Sequence, residues 1–158
     1  MTTRDFAAQV QEIAARYPDS RSAVLPALRL AQERHDGWLP PGAFAEVAEA
    51  LELTPAYCQA VASFYDMYHL APTGKHVVEV CTNLSCALAK AQDVVDAFAS
   101  ELGVAPGETT EDGEITFRVV ECLGGCGYAP VVAVDHRYRH PVHPEDVPAI
   151  VEGLRAGS

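Results

Sequence analysis

The sequence predicts an α/β (α+β) protein in which an N-terminal four-helix bundle precedes a smaller layered domain with a mixed sheet. Composition predicts this division, because residues 1–72 contain fifteen Ala but only five Val or Ile, whereas residues 73–158 contain ten Ala and sixteen Val or Ile. Ala favours helices and β-branched residues favour strands, so helix gives way to sheet near Thr73. The length of 158 residues is enough to bury a core without a disulfide framework.

Two helical segments open the chain. Apolar side chains recur at offsets of 4, 7 and 11 from Phe6 to Tyr17, which predicts a helix that ends at Pro18. A second apolar stripe predicts a helix that starts near Ser22. The turn signal Asp36-Gly37 ends this second helix.

Two more helices complete the predicted bundle. The third runs from about Pro41 to Leu51. Thr54-Pro55 has the form of an N-cap followed by Pro at the first helical position, which predicts a fourth helix that continues through Tyr68. Large apolar side chains at its end cover too many faces of one helix to enter a single core, so some of them are expected to contact a partner. These side chains are Phe64, Tyr65, Met67 and Tyr68.

The second part of the chain predicts the order strand, helix, strand, strand, helix around a mixed sheet. Gly103 ends the first of these helices, and Pro144 precedes the second. The polar segment from Arg137 to His143 is expected to be a turn. In order, the five predicted elements are 76–80, 86–102, 115–120, 131–135 and 145–154.

Charge and hydropathy exclude several classes of protein. The formal net charge of −11 repels phosphate backbones and argues against nucleic-acid binding. No uncharged apolar run approaches the roughly 18 residues of a membrane span, so direct membrane insertion is not expected. The N-terminal residues lack the apolar core of a secretory signal, which predicts a cytoplasmic protein.

Four of the five cysteines form two pairs, Cys81 with Cys86 and Cys122 with Cys126. Each pair begins where a predicted strand runs out into a loop. Neighbouring strands would bring both loops to one edge of the sheet. The sequence therefore predicts that four thiolates converge on one site, whereas the fifth cysteine, Cys58, has no partner nearby and is expected to be a packing residue.

Structural zinc, an iron–sulfur cluster and a pair of disulfides all use four convergent sulfurs. Zinc sites commonly use C-x2-C pairs, whereas gaps of four and three residues give wider loops that favour a cluster. A Rieske centre requires His ligands, and neither pair has an adjacent His. The plant-type ferredoxin spacing requires a third Cys where Ala89 stands. The six His are expected at the surface or its boundary rather than as ligands.

Glycines surround the second pair of cysteines. Gly124, Gly125 and Gly127 have no Cβ to obstruct a close approach, so their backbone N–H groups can point at sulfur. An anionic cluster needs such donors, because hydrogen bonds to its sulfurs set its potential. These three glycines are therefore the predicted cofactor-binding residues, and the triplet Gly125-Cys126-Gly127 does not match a dinucleotide fingerprint.

Two segments contain the cysteine pairs, VVEVCTNLSC and VVECLGGCGYAPVVAV, and 35 residues lie between Cys86 and Cys122. This pattern resembles the thioredoxin-like [2Fe–2S] ferredoxin subunit of NADH dehydrogenases. HDGWLP and VASFYDMYHLAPTGKH, upstream of them, match this family as well. The likeness is strongest to its form in bacterial NADH:quinone oxidoreductase, respiratory complex I. One departure is Ala89-Lys90, where relatives often have a pair that contains Gly.

The resemblance implies that residues 1–72 are a helical region that docks on a partner and that residues 73–158 are a thioredoxin-like domain holding one [2Fe–2S] cluster. Its ligands would be Cys81, Cys86, Cys122 and Cys126. The partner would be a flavoprotein subunit that binds FMN and NADH, within a larger oxidoreductase assembly. The cluster would exchange single electrons with that FMN. The chain would then lie in the cytoplasm, peripheral to the inner face of the cell membrane through the assembly.

No residue set in the sequence indicates acid–base or nucleophilic catalysis, so no catalytic residue is predicted and the chain alone is not expected to turn over NADH. Three other interpretations stay open. The same type of subunit occurs in NAD-dependent formate dehydrogenases and hydrogenases. A structural zinc interaction module would use the four thiolates for folding energy alone. A regulatory ferredoxin would work without a flavoprotein.

Overall fold

The structure is a computed structural model that describes residues 3–157. The chain divides between Pro72 and Thr73 into two compact units, one of helices only and one of helices around a sheet. This mixture of helix and sheet confirms the predicted α/β (α+β) class. No helix within residues 3–157 combines the length and the apolar character that a membrane span requires.

The first unit contains four helices, α1 (Thr3–Ala14), α2 (Val24–Arg34), α3 (Pro41–Leu51) and α4 (Pro55–Phe64), with a 3₁₀ turn at Ser20–Ala23. The local sequence explains where they begin. Asp19 accepts a hydrogen bond from the Arg21 N–H at the 3₁₀ turn, and the Thr54 hydroxyl accepts one from the Tyr57 N–H at α4. Pro occupies the first position of α3 and of α4, where its missing N–H costs nothing.

The core of this unit is made from one face of each helix. Its largest fully buried side chains are Phe6, Val10, Val24, Leu28, Leu39 and Val47. Cys58 also lies in this core, fully buried, and desolvation raises the pKa of its thiol.

Two predicted helix ends in this unit are wrong. α1 ends at Ala14 rather than at Pro18, and Tyr17 is 41% exposed instead of continuing the apolar face. α4 ends at Phe64, because Tyr65 has extended backbone angles, so Tyr68 lies beyond the helix. Tyr68 is nevertheless buried, and its hydroxyl donates to the Leu25 carbonyl at 2.7 Å.

The segment after α4 is fixed by the side chain of Gln32. Its amide nitrogen donates to the Met67 carbonyl at 3.1 Å, and its amide oxygen accepts from the His69 N–H at 2.8 Å. The expectation that all six His lie at the surface or its boundary is therefore wrong for His69, which is only 8% exposed. A buried Gln that satisfies two backbone groups holds a chain without regular structure in one place.

The second unit has a four-stranded sheet with strand order β2-β1-β3-β4. β1 and β2 are parallel, whereas β3 pairs antiparallel with both β1 and β4. The parallel pair is connected by a crossover that contains helices, as parallel strands require. The strands are β1 (His76–Cys81), β2 (Ile115–Val120), β3 (Val132–Val134) and β4 (Arg137–Arg139).

Three helices complete this unit, α5 (Leu84–Leu88), α6 (Ala91–Leu102) and α7 (Val147–Ala156). The single helix predicted over 86–102 is wrong, because Lys90 has a left-handed backbone with φ of 63° and separates α5 from α6. Such backbone angles are uncommon for a residue with a side chain, whereas Gly adopts them without strain. α6 contacts β1 and β2 and covers one face of the sheet.

The segment from Arg137 to His143, predicted as a turn, contains β4. The prediction fails because β4 is an edge strand whose three residues are all exposed, so it lacks the alternation of a half-buried strand. Asp135 and His136, both with positive φ, form the tight connection from β3 to β4.

Candidate metal centre

Both cysteine pairs lie at the same edge of the sheet, as the sequence predicts for neighbouring strands. Cys81 is the last residue of β1 and aligns with Val120, the last residue of the parallel strand β2. The pairing continues one step further, because the Thr82 N–H donates to the Val120 carbonyl at 3.0 Å. Cys122 follows only two residues after Val120, so each strand delivers the first cysteine of one pair to this edge.

The first pair is buried. Cys81 is 4% exposed and Cys86, in α5, is 2% exposed, and both pack with Ala91 and Val131 in a small apolar cluster of their own. Asn83 caps α5 through its side-chain oxygen, which accepts from the Leu84 N–H at 2.8 Å. Because Cys81 and Cys86 are buried in this apolar cluster, water is excluded from their side of the site.

The environment of Cys86 favours the neutral thiol in the metal-free chain. Burial raises the pKa of Cys86 most, and the neighbouring Cys81 and Cys126 thiols raise it further. A hydrogen bond with the backbone of Val131 acts in the opposite direction. The interactions of Cys86 with Cys81 and Cys126 show that the two loops approach each other in the fold.

The second pair is exposed. Cys122 and Cys126 lie on a loop between β2 and β3, and the Gly124 N–H donates to the Cys122 sulfur at 3.3 Å. Gly124 has a φ of 76°, in the left-handed region that residues with a side chain rarely adopt, so Gly turns this N–H towards the sulfur without backbone strain. Gly124 therefore makes the kind of contact that was expected of all three glycines.

The other two predicted glycines behave differently. A Cβ on Gly125 would lie 2.9 Å from the Val131 side chain, so this glycine permits a close approach between the second loop and the buried cluster. A Cβ on Gly127 would meet nothing within 4 Å. Their assignment as donors to sulfur stays a prediction.

The segment around β4, to which the sequence assigns no role, holds the second loop. The Tyr138 hydroxyl donates to the Leu123 carbonyl at 2.5 Å. The His140 ring lies against the Tyr128 ring with centroids 4.6 Å apart, and the Val142 N–H donates to the Pro130 carbonyl at 3.0 Å. Nothing in a short exposed Arg-Tyr-Arg strand signals these contacts, because they depend on how the hairpin folds over the loop.

All five cysteines are free thiols. Within residues 3–157, no three His, Cys, Asp or Glu side chains form a group that could hold a metal ion. A [2Fe–2S] cluster is held by four Cys thiolates, and the donor set fits this requirement in kind and number. The two loops supply four thiols at one sheet edge, one pair buried and one exposed, with an N–H already directed at sulfur.

Known proteins of one family resemble this chain over nearly its whole length. The sequence profile of the family described as "Thioredoxin-like [2Fe-2S] ferredoxin" matches residues 10–155. NADH-quinone oxidoreductase subunit 2 of Thermus thermophilus is 42% identical over 151 residues, which are 94% of this chain and 83% of that protein. A subunit of the NADH-quinone oxidoreductase of Mycobacterium tuberculosis is 44% identical over 146 residues, or 92% of this chain.

The chain spans 58% of the length of that mycobacterial relative. An NADH-quinone oxidoreductase subunit of Rhizobium meliloti is 38% identical over 156 residues, which cover 99% of this chain and 90% of the relative. Among solved structures, a chain of the NAD+-reducing [NiFe]-hydrogenase in its H2-reduced state shares the fold with a TM-score of 0.75. That match has 22% sequence identity and covers 85% of this chain and 22% of the other.

Proposed function

The chain belongs to the thioredoxin-like [2Fe–2S] ferredoxin family, and from this premise we propose that it is an electron-transfer subunit of an NADH:quinone oxidoreductase. The proposal rests on one observation: two dithiol loops lie at one edge of the sheet, at the ends of two parallel strands. Relatives that are 38–44% identical bear the name of that enzyme. They favour it over the formate dehydrogenase and hydrogenase alternatives.

Each part of the site has a task in this function. Cys81, Cys86, Cys122 and Cys126 would hold the cluster, which supplies one-electron redox chemistry when bound. The apolar surroundings of Cys81 and Cys86 exclude water from one side, and the Gly124 N–H offsets negative charge at the Cys122 sulfur. The exposed pair, Cys122 and Cys126, lies on the side from which an electron partner can approach.

The redox partner in this proposal is a flavoprotein subunit that binds FMN and NADH. A flavin accepts a hydride as two electrons, and one-electron acceptors divide that pair. The triplet Gly125-Cys126-Gly127 does not match a dinucleotide fingerprint, and in this proposal FMN and NAD are bound by the partner. We place the chain in the cytoplasm, held at the inner face of the membrane through the assembly.

Anaerobic purification followed by spectroscopy tests the proposal. The expected result is a coloured protein with two iron and two sulfide per chain and an EPR signal after reduction with dithionite. A colourless protein with stoichiometric zinc and no EPR signal would instead establish the structural zinc module. A loaded protein that never co-purifies with a flavoprotein would favour the regulatory ferredoxin. The neighbouring genes distinguish the assemblies, because membrane subunits accompany a quinone reductase and a molybdopterin subunit accompanies formate oxidation.

The helical unit is the proposed docking region for the flavoprotein. The end of α4 and the segment after it expose large apolar side chains, with Phe64 80%, Met67 53% and Leu70 46% exposed. Beside them, an open groove of about 450 Å³ is lined by residues that include Leu25, Tyr57, Val61, Phe64 and Tyr65. Apolar patches of this kind mark protein interfaces.

Replacing Phe64 by Ser tests this docking surface. Burial of a Phe side chain contributes about 1.5–3 kcal/mol, so the variant should bind the flavoprotein subunit about 10- to 100-fold more weakly. The absorption spectrum of its cluster should not change, because the four proposed ligands lie in the other unit. Tyr17→Ser, which changes another exposed aromatic residue of the helical unit, is the matched control. Equal affinities of the two variants, measured by calorimetric titration, would contradict the assignment.

A further inference from the structure

We infer that Tyr138 is a positioning residue for the cluster, acting on the ligand Cys122 through the peptide group between Leu123 and Gly124. The inference rests on the proposed function, because it takes Cys122 to be a cluster ligand. Tyr138 lies in the segment that the sequence predicts as a polar turn.

Both ends of the peptide group between Leu123 and Gly124 are hydrogen-bonded. Its carbonyl oxygen, on Leu123, accepts a hydrogen bond from the Tyr138 hydroxyl at 2.5 Å. Its N–H, on Gly124, donates to the Cys122 sulfur at 3.3 Å. A trans peptide is planar with its C=O and N–H in opposite directions, so a donor at the oxygen and an acceptor at the hydrogen together fix the plane.

Polarisation gives the Tyr138 hydroxyl a second effect. Hydrogen bonds arranged in a chain strengthen one another, because each polarises the group that makes the next. A hydroxyl that donates to the Leu123 oxygen therefore makes the Gly124 N–H a better donor to sulfur. The hydroxyl thus acts on the Cys122 sulfur through one peptide group.

The fold fixes the position of Tyr138. Tyr138 pairs with Ala133 of β3, and β3 in turn pairs with β1, the strand that ends at Cys81. The hairpin turn is anchored to β1 as well, because the Asp135 carboxylate accepts from the Val77 N–H at 2.9 Å and lies 2.7 Å from the His76 ring nitrogen Nδ1. The positions of both cysteine loops are therefore fixed relative to the same strand, β1.

Other contacts hold the second loop without this hydroxyl. The Tyr128 ring lies against His140, and the Val142 N–H donates to the Pro130 carbonyl. Removal of the Tyr138 hydroxyl should therefore leave the loop in place and change only the orientation and donor strength of one peptide. Tyr138 is 53% exposed, so we expect the chain to fold without its hydroxyl.

The consequence is a change in reduction potential. Reduction adds negative charge to the cluster, and hydrogen bonds to its sulfurs favour the reduced form. Loss of a typical hydrogen bond changes an equilibrium constant by about fivefold, and Tyr138→Phe weakens the Gly124 donor without removing it, so its effect is a fraction of that. At a fixed potential, the ratio of reduced to oxidised cluster in Tyr138→Phe should be lower than in the wild type by up to about twofold.

Redox titration of the loaded full-length chain, followed by absorption and EPR, tests the inference. Tyr128→Phe is the matched control, because it removes a neighbouring exposed tyrosine hydroxyl and keeps the ring that lies against His140. We expect a more negative potential for Tyr138→Phe and a wild-type potential for Tyr128→Phe, with equal iron contents. Loss of iron from Tyr138→Phe alone, with an unchanged circular dichroism spectrum, would also support the positioning role.

Three results would overturn the inference. The first is a wild-type potential in Tyr138→Phe with full iron content, which leaves the proposed function intact. The second is an equal shift in both variants, which would indicate a general effect of the loop. The third is a wild-type chain that binds no cluster, and only this result overturns the proposed function together with the inference.

Discussion

Replacing Cys122 by Ser is expected to abolish or severely perturb the [2Fe–2S] cluster, whereas replacing Cys58 by Ser should leave its absorption and EPR spectra unchanged. Cys122 follows β2 at the sheet edge where the other three proposed ligands meet. A Ser hydroxyl is far harder to deprotonate than a thiol and is a poor ligand for this soft-donor site. Because Cys122 is exposed, its substitution removes a ligand with little effect on the fold.

Cys58→Ser is expected to have the opposite effects on stability and on the cluster. Cys58 is fully buried in the core of the helical unit, where an added hydroxyl without a partner costs about 1–3 kcal/mol. Cys58→Ser should therefore lower the midpoint of urea unfolding and keep its iron and spectra, whereas Cys122→Ser should lose iron or change the spectra of its cluster and keep the stability of the metal-free chain. Equal effects of the two substitutions on iron content and spectra would contradict the ligand assignment.

Replacing Phe117 by Ala is expected to lower the free energy of unfolding of the sheet unit by about 3–5 kcal/mol, through lost burial and the cavity left behind. Phe117 is fully buried on β2, and its ring centroid lies 5.7 Å from that of Phe98 on α6. No smaller side chain can fill this space without moving the helix.

Urea unfolding followed by circular dichroism measures the effect. Val119→Ala on the same strand is the control. Val119 is 38% exposed, so its truncation should lower the free energy of unfolding by less than about 1 kcal/mol. Similar losses in the two variants would show that the contact between Phe117 and Phe98 does not hold α6 on the sheet.

Strong local patterns explain what could be predicted from the sequence. β2 is a β-branched run, and its observed limits, Ile115–Val120, are the predicted ones. α3 begins at a Pro after a Pro and ends where Glu52 adopts left-handed angles, and its predicted limits are also confirmed. Cysteine spacing and strand order together predicted that all four proposed ligands lie at one edge of the sheet.

The features that were missed depend on tertiary contacts. Ala89-Lys90 carries neither Gly nor Pro, so nothing local signals that Lys90 interrupts the helix. β4 has no apolar alternation, because all its side chains are exposed. The hydrogen bond from Tyr138 to Leu123 joins residues 15 positions apart through a hairpin turn. Local periodicity carries no information on such a contact.

The parallel register of β1 and β2 bears on the order in which the protein folds. His76 pairs with Ile115, and Cys81 with Val120, so the sheet forms by closing a long loop, whereas the helical unit is stabilised mainly by contacts between neighbouring helices. Chains rich in local contacts fold in microseconds to milliseconds, and those that depend on distant pairings fold more slowly. We expect the helical unit to fold first. In that order, the four proposed ligands would come together after the helical unit has formed, and a cluster would be inserted into a chain whose proposed docking region is already folded.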